Sequence, residues 1–239
     1  MAKQGEIRMT TFVLVHGAWH GPWAWSHVEK VLQAAGARTL TPDLRAAGDQ
    51  GLHDHARTVI AVLDSVAEGD VVLVGHSYAG LVVREAADAR PGAVGHIVLV
   101  DGWAGPDGSS MFSLAPESFV DAVRTAAETF GGGHRIPAPP PAAFGIHDPD
   151  TAALLTERMV SQPLRTFTEP TRLTGAVDRI TGTAIHCRPQ SYPFDRFGAD
   201  LGYRTLALDG PHDVMLTHPD HLARMLLRAH RSGNEKREV

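Results

Sequence analysis

Short, unbroken apolar runs recur along the chain, separated by stretches with helical spacing. The runs are Thr11–Val15, Asp70–Val74, His96–Val100 and Tyr203–Leu208, with Thr39–Leu44 and Thr183–Cys187 as weaker members. Residues apolar at consecutive positions suit a strand covered on both faces, because a half-exposed strand would alternate. Helical patterns cover Trp25–Ala35, closed by Gly36, then Arg57–Ala67, and Ala79–Ala89 ahead of Pro91-Gly92. A last one opens at Pro219 and places Leu222, Met225, Leu226 and Ala229 on one face. Strand–helix alternation of this kind predicts an α/β fold, a mostly parallel sheet with helices on both faces.

The alternation breaks between Gly105 and Gly182. That stretch shows no strand pattern and is interrupted by Gly131-Gly132-Gly133 and by Pro137, Pro139, Pro140 and Pro141. Helical pieces are expected at Pro116–Phe130 and Asp150–Val160. The chain thus divides into a first core segment (1–104), a helical insert (105–182) and a second core segment (183–239). The charged tail Arg231–Val239 is expected to fray.

Composition excludes several classes of function. With 43% hydrophobic and 21% charged residues the chain is globular, not disordered. A net charge of −5 argues against a nucleic-acid partner, which would need a basic face. The single cysteine, Cys187, cannot form an internal disulfide, which points to a reducing compartment. No stretch approaches the ~18 apolar residues of a membrane span. The run Phe12–Val15 is too short for a signal peptide. A cytoplasmic location and no membrane partner are therefore expected. No metal or cofactor is implied, and oligomeric state is left open.

The most informative segment is Val71-Val72-Leu73-Val74-Gly75-His76-Ser77-Tyr78-Ala79-Gly80. A buried strand ends at Gly75 and a helical pattern begins just after Ser77. Glycine two residues before a serine and a small residue two after it make a nucleophile elbow. The turn is so tight that larger side chains would collide, and the hydroxyl stands above the sheet at a helix N-terminus. Here the second small residue is Ala79, followed by Gly80. The bare pattern is common by chance; its strand–turn–helix setting raises its weight over an ordinary capping serine. The first strand runs into His16-Gly17-Ala18-Trp19-His20-Gly21. A loop there can supply a backbone donor to a developing oxyanion, and the expected donors are the N–H groups of Ala18 and Tyr78.

Three segments together resemble the α/β-hydrolase family: His16-Gly17-Ala18-Trp19-His20-Gly21-Pro22-Trp23-Ala24-Trp25, Gly75-His76-Ser77-Tyr78-Ala79-Gly80, and Gly210-Pro211-His212-Asp213-Val214-Met215-Leu216. More narrowly, they are similar to the branch of plant methylesterases and hydroxynitrile lyases with their bacterial esterase relatives. The resemblance covers most of the chain, including Gln162-Pro163 and Phe194-Asp195-Arg196-Phe197, and is weakest in the insert. It implies an α/β-hydrolase fold with the insert as a helical cap over the pocket.

The same resemblance orders the catalytic groups as serine, acid, histidine. Composition cannot choose among fourteen histidines. His212 is chosen by its place in the turn between the last strand and the last helix. His218 and His221 read as solvated, His53 and His55 as surface residues, His76 as packing and His16 as loop-orienting. For the acid, the plant members carry an aspartate a few residues after a cysteine resembling Cys187, where this chain has Gln190. Asp101, directly after the preceding strand, is the leading candidate, and Asp195 is next. Gln190 as a neutral orienter, or no acid at all, stay open. Cys187 reads as buried packing.

Apolar residues of the insert, among them Met111, Phe112, Phe119, Val123, Phe130, Ile136 and Phe144, predict a mostly apolar pocket. Trp103 and Tyr78 are expected pocket walls. Trp19, Trp23 and Trp25 read as packing and entry-rim residues. The expected activity is a serine hydrolase cleaving an uncharged, hydrophobic carboxylic ester, lactone or thioester through an acyl-enzyme on Ser77. A tailoring enzyme for acyl transfer, cyclisation or decarboxylation is one alternative, and a non-catalytic ligand-binding member another. A hydroxynitrile lyase is disfavoured, because those relatives carry a hydroxyl residue and a lysine where this chain has Ala18 and Asp213.

Overall fold

The computed structural model describes residues 9–45, 48–66 and 71–235, with side chains through Ala229. β1 (Thr11–Val15) leads through one 3-10 turn, Pro22–Trp25, into α1 (Ser26–Ala34) and β2 (Arg38–Leu40). Then come α2 (Leu52–Asp64), β3 (Val71–His76), α3 (Ala79–Ala89) and β4 (Val94–Val100). The chain next leaves the sheet through α4 (Met111–Leu114), α5 (Glu117–Phe130), β5 (Arg135–Ile136), α6 (Pro149–Arg158), β6 (Gln162–Pro163) and α7 (Arg165–Thr168). It returns as β7 (Gly182–Arg188), α8 (Phe194–Asp200), β8 (Arg204–Asp209), α9 (Val214–Thr217) and α10 (Pro219–Glu235).

Among the described residues the central sheet has six strands in the order β2-β1-β3-β4-β7-β8, each neighbouring pair parallel. The unbroken apolar runs follow from this. Val13, Val15, Leu73, Ile97 and Leu99 pack on the face covered by α2 and α3. Their alternates Phe12, Leu14, Val72, Val74, Val98 and Val100 pack on the face covered by α1 and α10. Each such side chain stabilises the fold by about 1.5–3 kcal/mol on burial, so both faces of these strands demand apolar residues.

Several boundaries differ from expectation. α2 starts at Leu52, before Arg57, because the Asp54 carboxylate accepts the Gly51 N–H (2.8 Å) and nucleates an earlier turn. The Tyr203–Leu208 run is not a fully covered strand: β8 lies at the sheet edge, and Leu208 is its one buried residue. Thr39–Leu44 yields only β2, at the opposite edge. Thr183–Cys187 is the stronger element, an interior strand between β4 and β8. The excursion between β4 and β7 holds a two-residue antiparallel ladder, Arg135 opposite Pro163 and Ile136 opposite Gln162. Asp70 and Ala67, expected strand and helix ends, lie outside the described residues. α10 continues to Glu235, and 236–239 of the tail expected to fray also lie outside them. Among the described residues no helix is long and apolar enough to cross a membrane.

From β1 the chain adds β2 on one side and then crosses to place β3 on the other. This reversal opens a crevice at the C-terminal strand ends, where ligands of such sheets bind. The register brings those ends level, pairing Val15 with Gly75, His76 with Val100, and Val100 with Ile185.

Candidate active site

Ser77 is the first residue past β3 and Asp101 the first past β4. The neighbouring strand holds each by one backbone bond: Ser77 N–H donates to Val100 O (3.1 Å) and Asp101 N–H to Ile185 O (2.9 Å). Both sit in the left-handed region, at φ 53° and φ 42°. Such a conformation costs a non-glycine residue of order 1–3 kcal/mol and persists only where the surroundings enforce it. Here the enforcement is visible. A Cβ on Gly75 would stand 2.7 Å from Ala79 O, and one on Gly80 would stand 2.4 Å from Trp103 O. Gly80, next to Ala79, thus lies close against the turn that follows Asp101.

The imidazole of His212 stands after β8 between Phe194 and Phe144, with ring centroids 5.5 and 6.2 Å away. Its Nδ1–H donates to Asp101 Oδ2 (2.9 Å), and the Cys187 N–H donates to Asp101 Oδ1 (2.7 Å). Both carboxylate oxygens therefore accept a bond, and the aspartate is 2% exposed. A carboxylate so fixed can hold one imidazole tautomer, leaving Nε2 free to accept a proton. Asp195 is not brought to His212. Its backbone N–H donates to Gln190 Oε1 (3.4 Å); Gln190 is exposed and Asp195 half-buried.

The loop after β1 is pinned by its own histidines. His16 Nδ1–H donates to Gly17 O (2.9 Å) while its Nε2 accepts the Leu44 N–H (3.0 Å). A carbonyl only accepts and an amide N–H only donates, so these partners settle the tautomer. Burial lowers the His16 pKa, consistent with the neutral ring. Trp19, at φ 64°, gives its N–H to Gln162 Oε1 (3.3 Å), gives its indole N–H to Ile136 O (3.2 Å), and accepts the Val160 N–H (2.9 Å). Among the described residues neither the Ala18 nor the Tyr78 N–H has a backbone acceptor.

Ser77 and His212 line one cavity of about 550 Å³. Trp19, Trp103, Met111, Phe119, Ile136, Phe144 and Tyr192 form much of its wall, with Pro137, Pro139, Pro140 and the exposed Phe130. None of its lining residues is Lys, Arg, Asp or Glu. Trp103 lines the cavity. Tyr78 does not: its ring is turned into the core against Phe167, 5.9 Å between centroids, with its hydroxyl 3.1 Å from His55 Nδ1. The helix direction that places its N–H beside Ser77 sends its side chain away from the cavity.

Other expectations need correction too. His53 and His55 are buried, not surface residues. His53 Nδ1 lies 2.6 Å from Glu85 Oε1, and its N–H donates to Glu169 Oε2 (3.1 Å), joining α2 and α3 to the segment after α7. His218 and His221 are exposed, and His76 packs behind the site with Nε2–H donating to His212 O (3.1 Å). Cys187 is buried, and burial, with Asp101 nearby, pushes its thiol pKa far up. Tyr192 and Ser191 were not foreseen as lining residues. Nor were Pro137, Pro139 and Pro140, which the sequence shows only as interruptions of the insert. Asp213, wholly buried beside His212, carries no sequence signal beyond adjacency.

The site can be set beside known proteins. The model of the Alpha/beta hydrolase family matches residues 12–225. A carbendazim hydrolyzing esterase of Nocardioides sp. (strain SG-4G) is 30% identical over 245 residues, covering 91% of this chain and 98% of its own. Methyl jasmonate esterase 1 of Vitis vinifera is 31% identical over 195 residues, 75% of this chain and 74% of its own. Among solved structures, an extracellular alpha/beta-hydrolase from a Paenibacillus species superposes with a TM-score of 0.83 at 20% identity. That match covers 92% of this chain and 98% of that one, and it speaks to the fold.

Proposed function

Because this chain belongs to the alpha/beta hydrolase family, beside plant methylesterases and bacterial esterases, and is a carboxylic ester hydrolase, we propose that it cleaves a neutral, hydrophobic ester through an acyl-enzyme on Ser77. Ser77 Oγ attacks the ester carbonyl carbon and His212 Nε2 takes its proton. Asp101 holds the imidazole in the needed tautomer and stabilises the imidazolium that forms. The N–H groups of Ala18 and Tyr78 receive the negative charge that develops on the carbonyl oxygen. His212 then protonates the departing alkoxide. Water, deprotonated by the same ring, attacks the acyl carbon and frees Ser77 and the acid.

The observation that carries this reading is the Asp101–His212 bond beside a cavity that His212 and Ser77 both line. The apolar lining supports a neutral substrate, since a charged group would lose its hydration without a partner there. We assign the excursion 105–182 as a cap, because Met111, Phe119, Val123, Ile136 and Phe144 from it build the wall facing Ser77. The non-catalytic alternative rests on the loss of the acid from its usual place, and the Asp101–His212 bond weighs against it. The lyase reading loses further ground because Asp213, where those relatives carry lysine, is bonded to His20 inside the protein.

The test is labelling by a fluorophosphonate probe together with hydrolysis of neutral p-nitrophenyl esters of graded acyl length. Wild type labels and turns over; Ser77→Ala does neither. Retention of ester hydrolysis by Ser77→Ala refutes the acyl-enzyme.

A further inference from the structure

Behind the reactive side chains the loop after β1 touches the loop after β8. His20 Nε2–H donates to Asp213 Oδ2 (3.0 Å), and His20 Nδ1–H donates to Ala18 O (2.8 Å). His20 is 1% exposed and Asp213 is 0% exposed. Resting on the reading above, in which Ser77 and His212 cleave the ester, we propose that His20 and Asp213 are positioning residues: a buried pair that locks the loop carrying the Ala18 donor to the loop carrying His212.

The peptide planes show how the pair acts. The Ala18 N–H belongs to the Gly17–Ala18 peptide, whose carbonyl is held by His16. The next peptide is held at both ends, its carbonyl by His20 and its N–H by Gln162. The direction of the Ala18 N–H is therefore set by both flanking histidines, and His20 alone passes that constraint to the far loop. There Asp213 follows His212 directly, and the His212 carbonyl accepts from His76. The His212 backbone is thus gripped from His76 on one side and from His20, through Asp213, on the other.

The pair must share one proton. Ala18 O can only accept, so Nδ1 carries a hydrogen; the second proton lies between Nε2 and the carboxylate. Burial by itself would lower the His20 pKa, but the Asp213 charge and the hydrogen bonds to Asp213 and Ala18 O together outweigh it and hold that pKa above its ordinary value. Burial would raise Asp213, but His20, with His76 and His212 beyond it, keeps that carboxyl below the usual range. Asp213 Oδ1 makes no hydrogen bond among the described residues. His20 is what makes a wholly buried carboxylate tolerable at this place.

A positioning role differs from a packing role in what it moves. The test measures kcat and KM for a neutral p-nitrophenyl ester, and the affinity of a trifluoromethyl ketone. That inhibitor adds to a catalytic serine and places an oxyanion against the backbone donors. In folded His20→Ala and Asp213→Ala, kcat is expected to fall roughly 10- to 100-fold with KM within about threefold, and inhibitor affinity to fall in step. Asp213→Asn, which can donate an amide N–H to neutral His20, is expected to recover kcat to within about fivefold of wild type. Where the alanine variants do not fold, His20→Asn, which keeps a donor to Ala18 and drops the link to Asp213, carries the same expectation. Unchanged kcat and inhibitor affinity, or losses confined to KM or to thermal stability, overturn the proposal. Activity surviving in Ser77→Ala overturns the underlying reading instead. An inactive Ser77→Ala alongside normal pair variants overturns this inference alone.

Discussion

Asp101 and His212, 111 positions apart, share a 2.9 Å hydrogen bond between Oδ2 and Nδ1. The carboxylate is not where the branch that this chain resembles carries its acid. It stands one strand earlier, at the end of β4, and the Cys187 N–H on β7 steadies it from the strand that would otherwise bear the acid. In the proposed mechanism Asp101 does the acid's work from the adjacent strand end, which the parallel register of β4 and β7 brings level.

Asp101→Asn is expected to lower kcat by on the order of 10⁴-fold. An amide that still meets the Cys187 N–H with its oxygen turns its NH₂ toward His212 Nδ1 and forces the wrong tautomer. Asp195→Asn and Gln190→Ala, which do not touch His212, are expected to stay within about twofold of wild type. Steady-state kinetics on one neutral ester distinguish the three; loss of activity in Asp195→Asn with Asp101→Asn unaffected would reverse the assignment.

Gly80→Ala is expected to destabilise the fold by about 1–3 kcal/mol. The added Cβ would meet Trp103 O at 2.4 Å and Trp103 N at 3.0 Å, both backbone atoms of the turn that follows Asp101. In a chain of this length that is a fall in Tm of roughly 3–10 °C. Gly92→Ala, with nothing within 4 Å of the new Cβ, serves as the control and should melt with wild type. A calorimetric scan of the two variants checks the pair, and equal melting temperatures would show that the elbow can widen freely.

Stability should decline as pH falls below about 6.5, with His55 contributing. Burial, then the neighbouring His16, lower the folded-state pKa of His55 to about 4. The unfolded chain binds this proton below its ordinary pKa of about 6.5 and the folded chain does not until about 4. The His55 contribution is therefore complete above pH 6.5 and is lost between 6.5 and 4, on the order of 3 kcal/mol in all. In His55→Gln the loss of unfolding free energy between pH 7.5 and 5.0 should be smaller by roughly 2 kcal/mol. Urea unfolding at the two pH values reads this, and an identical slope in the variant would rule His55 out.

The sheet interior was legible from residues alone. A strand covered on both faces by helices must be apolar at consecutive positions, and that demand acts locally, so β1, β3 and β4 show it in their own residues. The elbow was legible for the same reason, since Gly75, Ser77 and Gly80 meet a steric condition within six positions. What reads poorly from one segment is whatever depends on which strand ends become neighbours. Asp101, Asp195 and Gln190 are open candidates in the sequence; the register of β4, β7 and β8 sets Asp101 against His212. His53 and His55 looked like surface residues until α2 packed on α3 and the excursion folded over them. Tyr78 was expected in the pocket wall, yet the helix direction turns its ring the other way. The His20–Asp213 pair spans 193 positions and left no pattern at all. Local sterics and solvent exclusion are written into short windows of sequence; the partners of a buried charge are chosen only when distant loops are brought together at the strand ends of the folded sheet.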